Sequence, residues 1–133
     1  MPSVLIADND RAVNDLLSEV LARFGVPVCQ AFDGRAASAM ARNPEIRILV
    51  CDLDMPGASG IEVLESLADL ARPPLAVVVS GYLDSGVRTR LAALSFVRAV
   101  FGKPFDLLSF AERVRELLAG DMGGQDATEV GAG

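Results

Sequence analysis

The feature that most constrains this chain is a fivefold alternation of short apolar runs with stretches whose apolar residues recur at helical spacing. Val4 to Ala7, Val26 to Ala31, Ile46 to Cys51, Leu75 to Val79 and Arg98 to Gly102 read as strands. Most are too uniformly apolar to leave one face wet, the pattern of strands buried on both sides of a parallel sheet. After the first run, Val13, Leu16, Leu17, Val20, Leu21 and Phe24 fall on one helical face, and Gly25 follows as a stop. Further helices are predicted near Gly34 to Arg42, Ile61 to Ala71, Ser85 to Leu94 and Asp106 to Ala119. Five βα rounds in 133 residues imply an α/β fold, a doubly wound five-stranded parallel sheet with helices on both faces.

Local punctuation agrees with this reading. Asp10, Asp33 and Asp106 stand where N-caps belong, and Ser59 followed by Glu62 fits a capping box. Gly120 is placed to stop the last helix. The remainder, GDMGGQDATEVGAG, has too little apolar content to pack, so the expectation is one domain over residues 1–119 and a disordered tail or the start of a linker over 120–133.

Residue counts narrow the chemistry. The sequence has no histidine, which excludes imidazole bases, Ser-His-Asp triads, histidine metal ligands and a phosphohistidine of its own. Of its 12 basic residues, all but Lys103 are arginine, and the net charge of -6 argues against direct nucleic-acid binding. The longest apolar runs, Leu75 to Val79 and Ile48 to Cys51, are far shorter than the roughly 18 residues of a membrane span. With no charged leader in MPSVLIADND, a cytoplasmic protein is expected.

In a doubly wound sheet, ligands bind outside the carboxyl ends of the strands. There the sequence places Asp8, Asn9 and Asp10 after the first strand, Asp52 and Asp54 after the third, Ser80 and Gly81 after the fourth, and Lys103 and Pro104 after the fifth. ADND, CDLDMPGASG, VVVSG and FGKPF, taken in that order, resemble the receiver domain of two-component response regulators, and the resemblance runs from about Pro2 to Ala119. It implies the flavodoxin-like strand order 2-1-3-4-5 and Mg²⁺-dependent transfer of a phosphoryl group from a phosphohistidine to Asp52.

Residue chemistry supports that transfer. A carboxylate attacks phosphorus when cations offset its repulsion from the phosphoryl oxygens. Mg²⁺ takes oxygen ligands and keeps several waters, so Asp8, Asn9, Asp52 and Asp54, the last through its backbone carbonyl as in the family, form the expected metal set. Ser80 would hydrogen-bond one phosphoryl oxygen and Lys103 would pair with another. By resemblance, Pro104 is the family's cis proline. Asp10 is read as a helix cap, the commoner use of such a residue.

Two positions depart from the family pattern. Asn9 stands where a carboxylate usually touches the metal, so Mg²⁺ affinity should be weaker. Val100 stands where an aromatic usually swings inward with the hydroxyl residue, which puts a Ser80/Val100 switch in doubt and shifts weight to the loop from Ser80 to Asp84.

The leading expectation is a stand-alone receiver, not an enzyme acting on other substrates, served by a histidine kinase or phosphotransfer protein. Its downstream protein partner would dock on the face of helix four, strand five and helix five, with Val87, Leu94, Phe101 and Phe110 partly exposed. An apolar patch there would also permit a homodimer. One alternative is a receiver-fold interaction module that no longer depends on phosphate, favoured by Asn9 and Val100. Another is a haloacid-dehalogenase-type phosphatase, suggested by LVCDLDMP but opposed by the two βα rounds before it. Cys29 and Cys51 lie on strands that the order 2-1-3-4-5 separates by one, about 10 Å apart, so two free buried thiols are expected.

Overall fold

The computed structural model describes residues 2–55 and 59–123, and over them strand and helix alternate without exception. The elements are β1 (Val4–Ala7), α1 (Arg11–Arg23), β2 (Val28–Ala31), α2 (Gly34–Ala41), β3 (Ile48–Asp52), α3 (Gly60–Leu67), β4 (Leu75–Ser80), α4 (Ser85–Ala92), β5 (Val97–Gly102) and α5 (Leu107–Gly123). The strands form one parallel sheet in the order β2-β1-β3-β4-β5. Strand order, parallelism and helical cover are those of the flavodoxin-like fold that the sequence led us to expect.

Successive side chains of a strand point to opposite faces, so each central strand supplies two cores. Leu5, Leu49, Cys51, Ala76 and Val78 pack on one side with Ala37, Leu64 and Leu91 of α2, α3 and α4. Val4, Ile6, Ile48, Val50, Val77 and Val79 pack on the other with Leu17 of α1 and with Phe110 and Val114 of α5. A register shift between β4 and β5 sends Ala76 to Val97 but Val77 to Ala99, leaving Arg98 as an extra residue. The bulge reverses the alternation. Val97 faces the α4 side and Ala99 the α5 side, followed by Val100 towards α4 and Phe101 towards α5.

Helix starts are set by side chains that accept free backbone N–H groups. Asp10 accepts from Ala12 and Val13, Asp33 from Ala36, and Asp84 from Val87. Ser59 and Glu62 complete a reciprocal capping box on α3. Asp106 accepts from the Leu108 N–H at 2.9 Å. Gly25 ends α1 with φ at +79°, a left-handed conformation that glycine alone adopts without cost.

Several expected boundaries move. Val26 and Ile46 are buried but lie in turns, their N–H groups bonded to Leu21 O and Asn43 O, so β2 and β3 begin two residues later than their apolar runs. Past Leu67 the chain closes a tight turn through Leu70 N–H and Leu67 O, ending α3 before Ala71. Helix α5 continues through Gly120 to Gly123, helped by the Arg47 guanidinium donating to Leu118 O at 2.8 Å. The tail expected to be disordered lies, from residue 124 onward, outside the described residues. The buried face of α1 is Asn14, Leu17 and Leu21, while Leu16 is exposed. Cys29 and Cys51 are both free thiols, but Cys29 is only half-buried because β2 is an edge strand.

Phe110, expected to be partly exposed on the partner face, is completely buried. It sits on the inward stripe of α5 with its ring edge-on to Phe101, centroids 6.0 Å apart, and 5.7 Å from Phe105. Truncating so large a buried ring leaves a cavity as well as losing transfer energy. Phe110→Ala is therefore expected to lower unfolding free energy by about 3–5 kcal/mol in urea titrations, whereas a change under 1 kcal/mol would place the ring at the surface.

Candidate functional site

The carboxyl edge of the sheet brings four polar side chains together by backbone geometry alone. Asp52 and Ser80 are the last residues of β3 and β4, while Asp8 and Lys103 directly follow β1 and β5. The ladders run one step past the strands: Asp8 N–H donates to Ala31 O at 3.1 Å, Leu53 N–H to Val79 O at 3.2 Å, and Lys103 N–H to Ser80 O at 2.9 Å. Each of these candidate residues is thus anchored by sheet hydrogen bonds and not by a free loop. Asp8, Asp52 and Ser80 are buried, with 2%, 3% and 0% of their surface exposed.

Lys103 connects the acidic pair. Its ammonium lies 3.7 Å from Asp8 Oδ2 and 3.6 Å from Asp52 Oδ1. The Lys103–Pro104 bond is cis. One oxygen of each carboxylate is also held locally, Asp8 Oδ1 by the Asp10 N–H at 2.9 Å and Asp52 Oδ1 by the Asp54 N–H at 3.2 Å. Asp8 Oδ2 is buried without a hydrogen bond.

The electrostatics are unbalanced. Burial raises the Asp52 pKa, the Asp54 N–H and the Lys103 ammonium oppose the rise and the Asp8 carboxylate adds to it, and the balance is a pKa pushed up to about 6. Burial, reinforced by Asp52 and Asp8, also drives the Cys51 thiol well above its ordinary range, so that sulfur is an inert core atom. A hard cation fits this edge on the evidence of its donors: two buried carboxylates, one with an oxygen lacking any hydrogen bond, face a single ammonium. Among the described residues no three His, Cys, Asp or Glu side chains gather as a closed chelate. Mg²⁺ takes one or two carboxylates and completes its shell with water and substrate oxygens.

Other expected site residues stand further out. Asn9 and Asp54 are exposed on their loops, and Asp54 meets the centre through its backbone N–H. The Ser80 hydroxyl donates to Tyr82 O at 3.0 Å and accepts from the Tyr82 N–H at 3.1 Å, so it is engaged with its own loop. Val100 packs towards α4 and lines, with Arg88, Leu91, Leu94 and Val97, an open cavity of about 320 Å³. Val87, Leu94 and Phe101 are half-buried.

Gly60 is a site residue that reading the strand ends does not find. A Cβ there would collide with Asp52 O and fall 2.5 Å from Leu53 Cα, and the Gly60 N–H donates to Leu53 O at 3.0 Å. The start of α3 is thereby packed onto the backbone of Asp52, a contact that no side chain larger than hydrogen allows. In the sequence it is the closing glycine of CDLDMPGASG at a helix start, where glycine has many uses.

Comparison with known proteins agrees with this geometry. Residues 4–115 match the family model of the response regulator receiver domain. The chain is 33% identical over 131 residues to the DNA-binding dual master transcriptional regulator RpaA of Synechocystis sp., covering 89% of this chain and 49% of that protein. It is 30% identical over 135 residues to the sensory transduction protein RegX3 of Mycobacterium tuberculosis, covering 100% of this chain and 57% of the relative. Across four such relatives the chain spans between 31% and 57% of their length. The crystal structure of a CheY-like receiver domain protein from Methanospirillum hungatei superposes with a TM-score of 0.85 at 22% identity, over 94% of this chain and 99% of that one, and so shares its fold. The chain belongs to the response regulator receiver domain family, a signalling module of two-component systems.

Proposed function

We propose that Asp52 accepts a phosphoryl group from a phosphohistidine on a histidine kinase or phosphotransfer protein, and that the aspartyl phosphate alters binding to a protein partner. The observation that carries this reading is the buried Asp8 and Asp52 pair with the Lys103 ammonium 3.7 and 3.6 Å away, beside the Ser80 strand end. In the transfer, an Asp52 oxygen forms the new P–O bond as the P–N bond of the donor breaks, and the donor imidazole leaves with the electron pair. Lys103 is positioned to pair with a phosphoryl oxygen, and Asp8 with Asp52 to hold Mg²⁺ with help from Asn9 and the Asp54 carbonyl. Mg²⁺, when bound, supplies the positive charge that lets two anions approach.

Ser80 reaches a phosphoryl oxygen only by releasing Tyr82, so occupancy of the site and the shape of the Ser80 to Asp84 loop are coupled. Because Val100 has no aromatic ring to swing, this loop and α4 carry the change to the surface. The face of α4, β5 and α5 is the proposed docking surface for a partner or a second copy. The acidic chain, with no helix among the described residues long and apolar enough to cross a membrane, suits a cytoplasmic protein-binding role better than nucleic-acid contact.

Incubation with phosphoramidate and Mg²⁺ tests the acceptor directly. Mass spectrometry should find one phosphoryl increment that is acid-stable and base-labile, absent without Mg²⁺ and absent in Asp52→Asn. No increment on the folded wild type would favour the phosphate-independent module instead. A second measurement concerns the amide at the metal position: Asn9→Asp adds a charged oxygen and is expected to tighten Mg²⁺ binding roughly tenfold by calorimetry. Unchanged or weaker binding would remove Asn9 from the ligand set.

A further inference from the structure

Asn14 is buried completely in α1, on the stripe otherwise made by Leu17 and Leu21. Buried amides need full hydrogen bonding, and this one has it. Its Nδ2 group donates to Ala31 O at 2.9 Å, Asp8 O at 3.0 Å and Ile6 O at 3.3 Å. Its Oδ1 accepts from Gln30 Nε2 at 2.8 Å, and Gln30 Nε2 also donates to Asp15 Oδ1 at 2.9 Å. That donor on one side and three carbonyls on the other fix which way the amide faces.

The three carbonyls cluster where β1 and β2 end; Ala31 O already accepts the Asp8 N–H, and the Asn14 amide adds a second donor to it while also reaching Asp8 O beyond the last strand residue. The Asn14 amide thus ties α1 to the ends of both strands. Asp8 is consequently held at every polar backbone group: its N–H donates to Ala31 O, and its C=O accepts from Asn14. Its Oδ1 is caught by the N–H of Asp10, the N-cap of the same helix. With these three restraints in place, Oδ2 is the carboxylate atom left facing Lys103.

We propose that Asn14 is a positioning residue for the phosphoryl-transfer site, clamping the Asp8 peptide so that its carboxylate is preset to share a divalent cation with Asp52. This rests on the metal-dependent reading of the site given above. Residues that orient a metal ligand without touching the metal commonly change affinity by one to two orders of magnitude when removed.

The test measures Mg²⁺ affinity by calorimetry on the full chain, with hydrogen exchange of the Asp8 amide as a metal-free readout. Asn14→Ala, and Asn14→Leu as a variant of similar volume, are expected to weaken Mg²⁺ binding about tenfold and to speed exchange at Asp8. Leu21→Ala, buried on the same helix face but remote from the loop carbonyls, should lose stability while keeping wild-type Mg²⁺ affinity. If both Asn14 variants fold and bind Mg²⁺ like the wild type, Asn14 is structural only and the inference fails alone. If the wild type itself binds no Mg²⁺, the metal-dependent reading fails and takes this inference with it.

Discussion

Two buried carboxylates facing one ammonium govern this molecule. At about 4 Å and an effective dielectric of about 20, a pair of unit charges interacts by roughly 4 kcal/mol. Lys103 offsets only part of the repulsion and desolvation that Asp8 and Asp52 incur at under 4% exposure each. Two carboxylates against one ammonium leave this edge with excess negative charge, which a further positive group would offset. Under the proposed function a divalent cation supplies that charge, and phosphorylation of Asp52 is a change between two differently balanced states of the same edge.

The rest of the fold exists to hold that edge in place. Parallel strands end together at their carboxyl ends, so the βα connections of β1, β3, β4 and β5 converge there without any dedicated scaffold. Ladder bonds carried one step past the strands keep Asp8 and Lys103 as fixed as the strand residues themselves. Helices then lock the loops from behind: α3 through the close packing of Gly60 on Asp52, and α1 through Asn14 and Asp10 on Asp8. The bulge at Arg98 has a comparable effect at the other end of the sheet, setting Val100 against α4 while Phe101 joins the aromatic cluster over α5.

Much of this was legible in the sequence because it depends on rules that are local or topological. Apolar runs and helix caps located every element, and the rule that parallel sheets bind at their carboxyl ends gave a set of strand-end residues within which the resemblance to receiver domains singled out Asp8, Asp52, Ser80 and Lys103. What escaped depends on tertiary contacts. Val26 and Ile46 are as apolar as strand residues because they are buried, yet burial does not say whether an N–H joins a ladder or a turn. Phe110 and Leu16 exchanged their expected exposure because periodicity defines a stripe but not which of its edges meets the core. Nothing in the sequence marks Asn14, and only the three carbonyls that meet its amide where β1 and β2 end reveal its use.

The imbalance at the edge has a thermodynamic signature. The Asp52 pKa is raised from an ordinary 3.8 to about 6, so the folded state holds this proton more tightly than the unfolded chain. The associated stability is fully present below about pH 4 and is lost as pH rises through about 6. Urea unfolding of wild type and Asp52→Asn across pH 3.5 to 8, without divalent cations, measures it most directly. The account predicts that Asp52→Asn is more stable at pH 7.5, by up to about 3 kcal/mol, with the advantage vanishing below about pH 4. An Asn variant no more stable than wild type at pH 7.5 would contradict it, because Asp52 would then be a satisfied carboxylate with no demand for a cation.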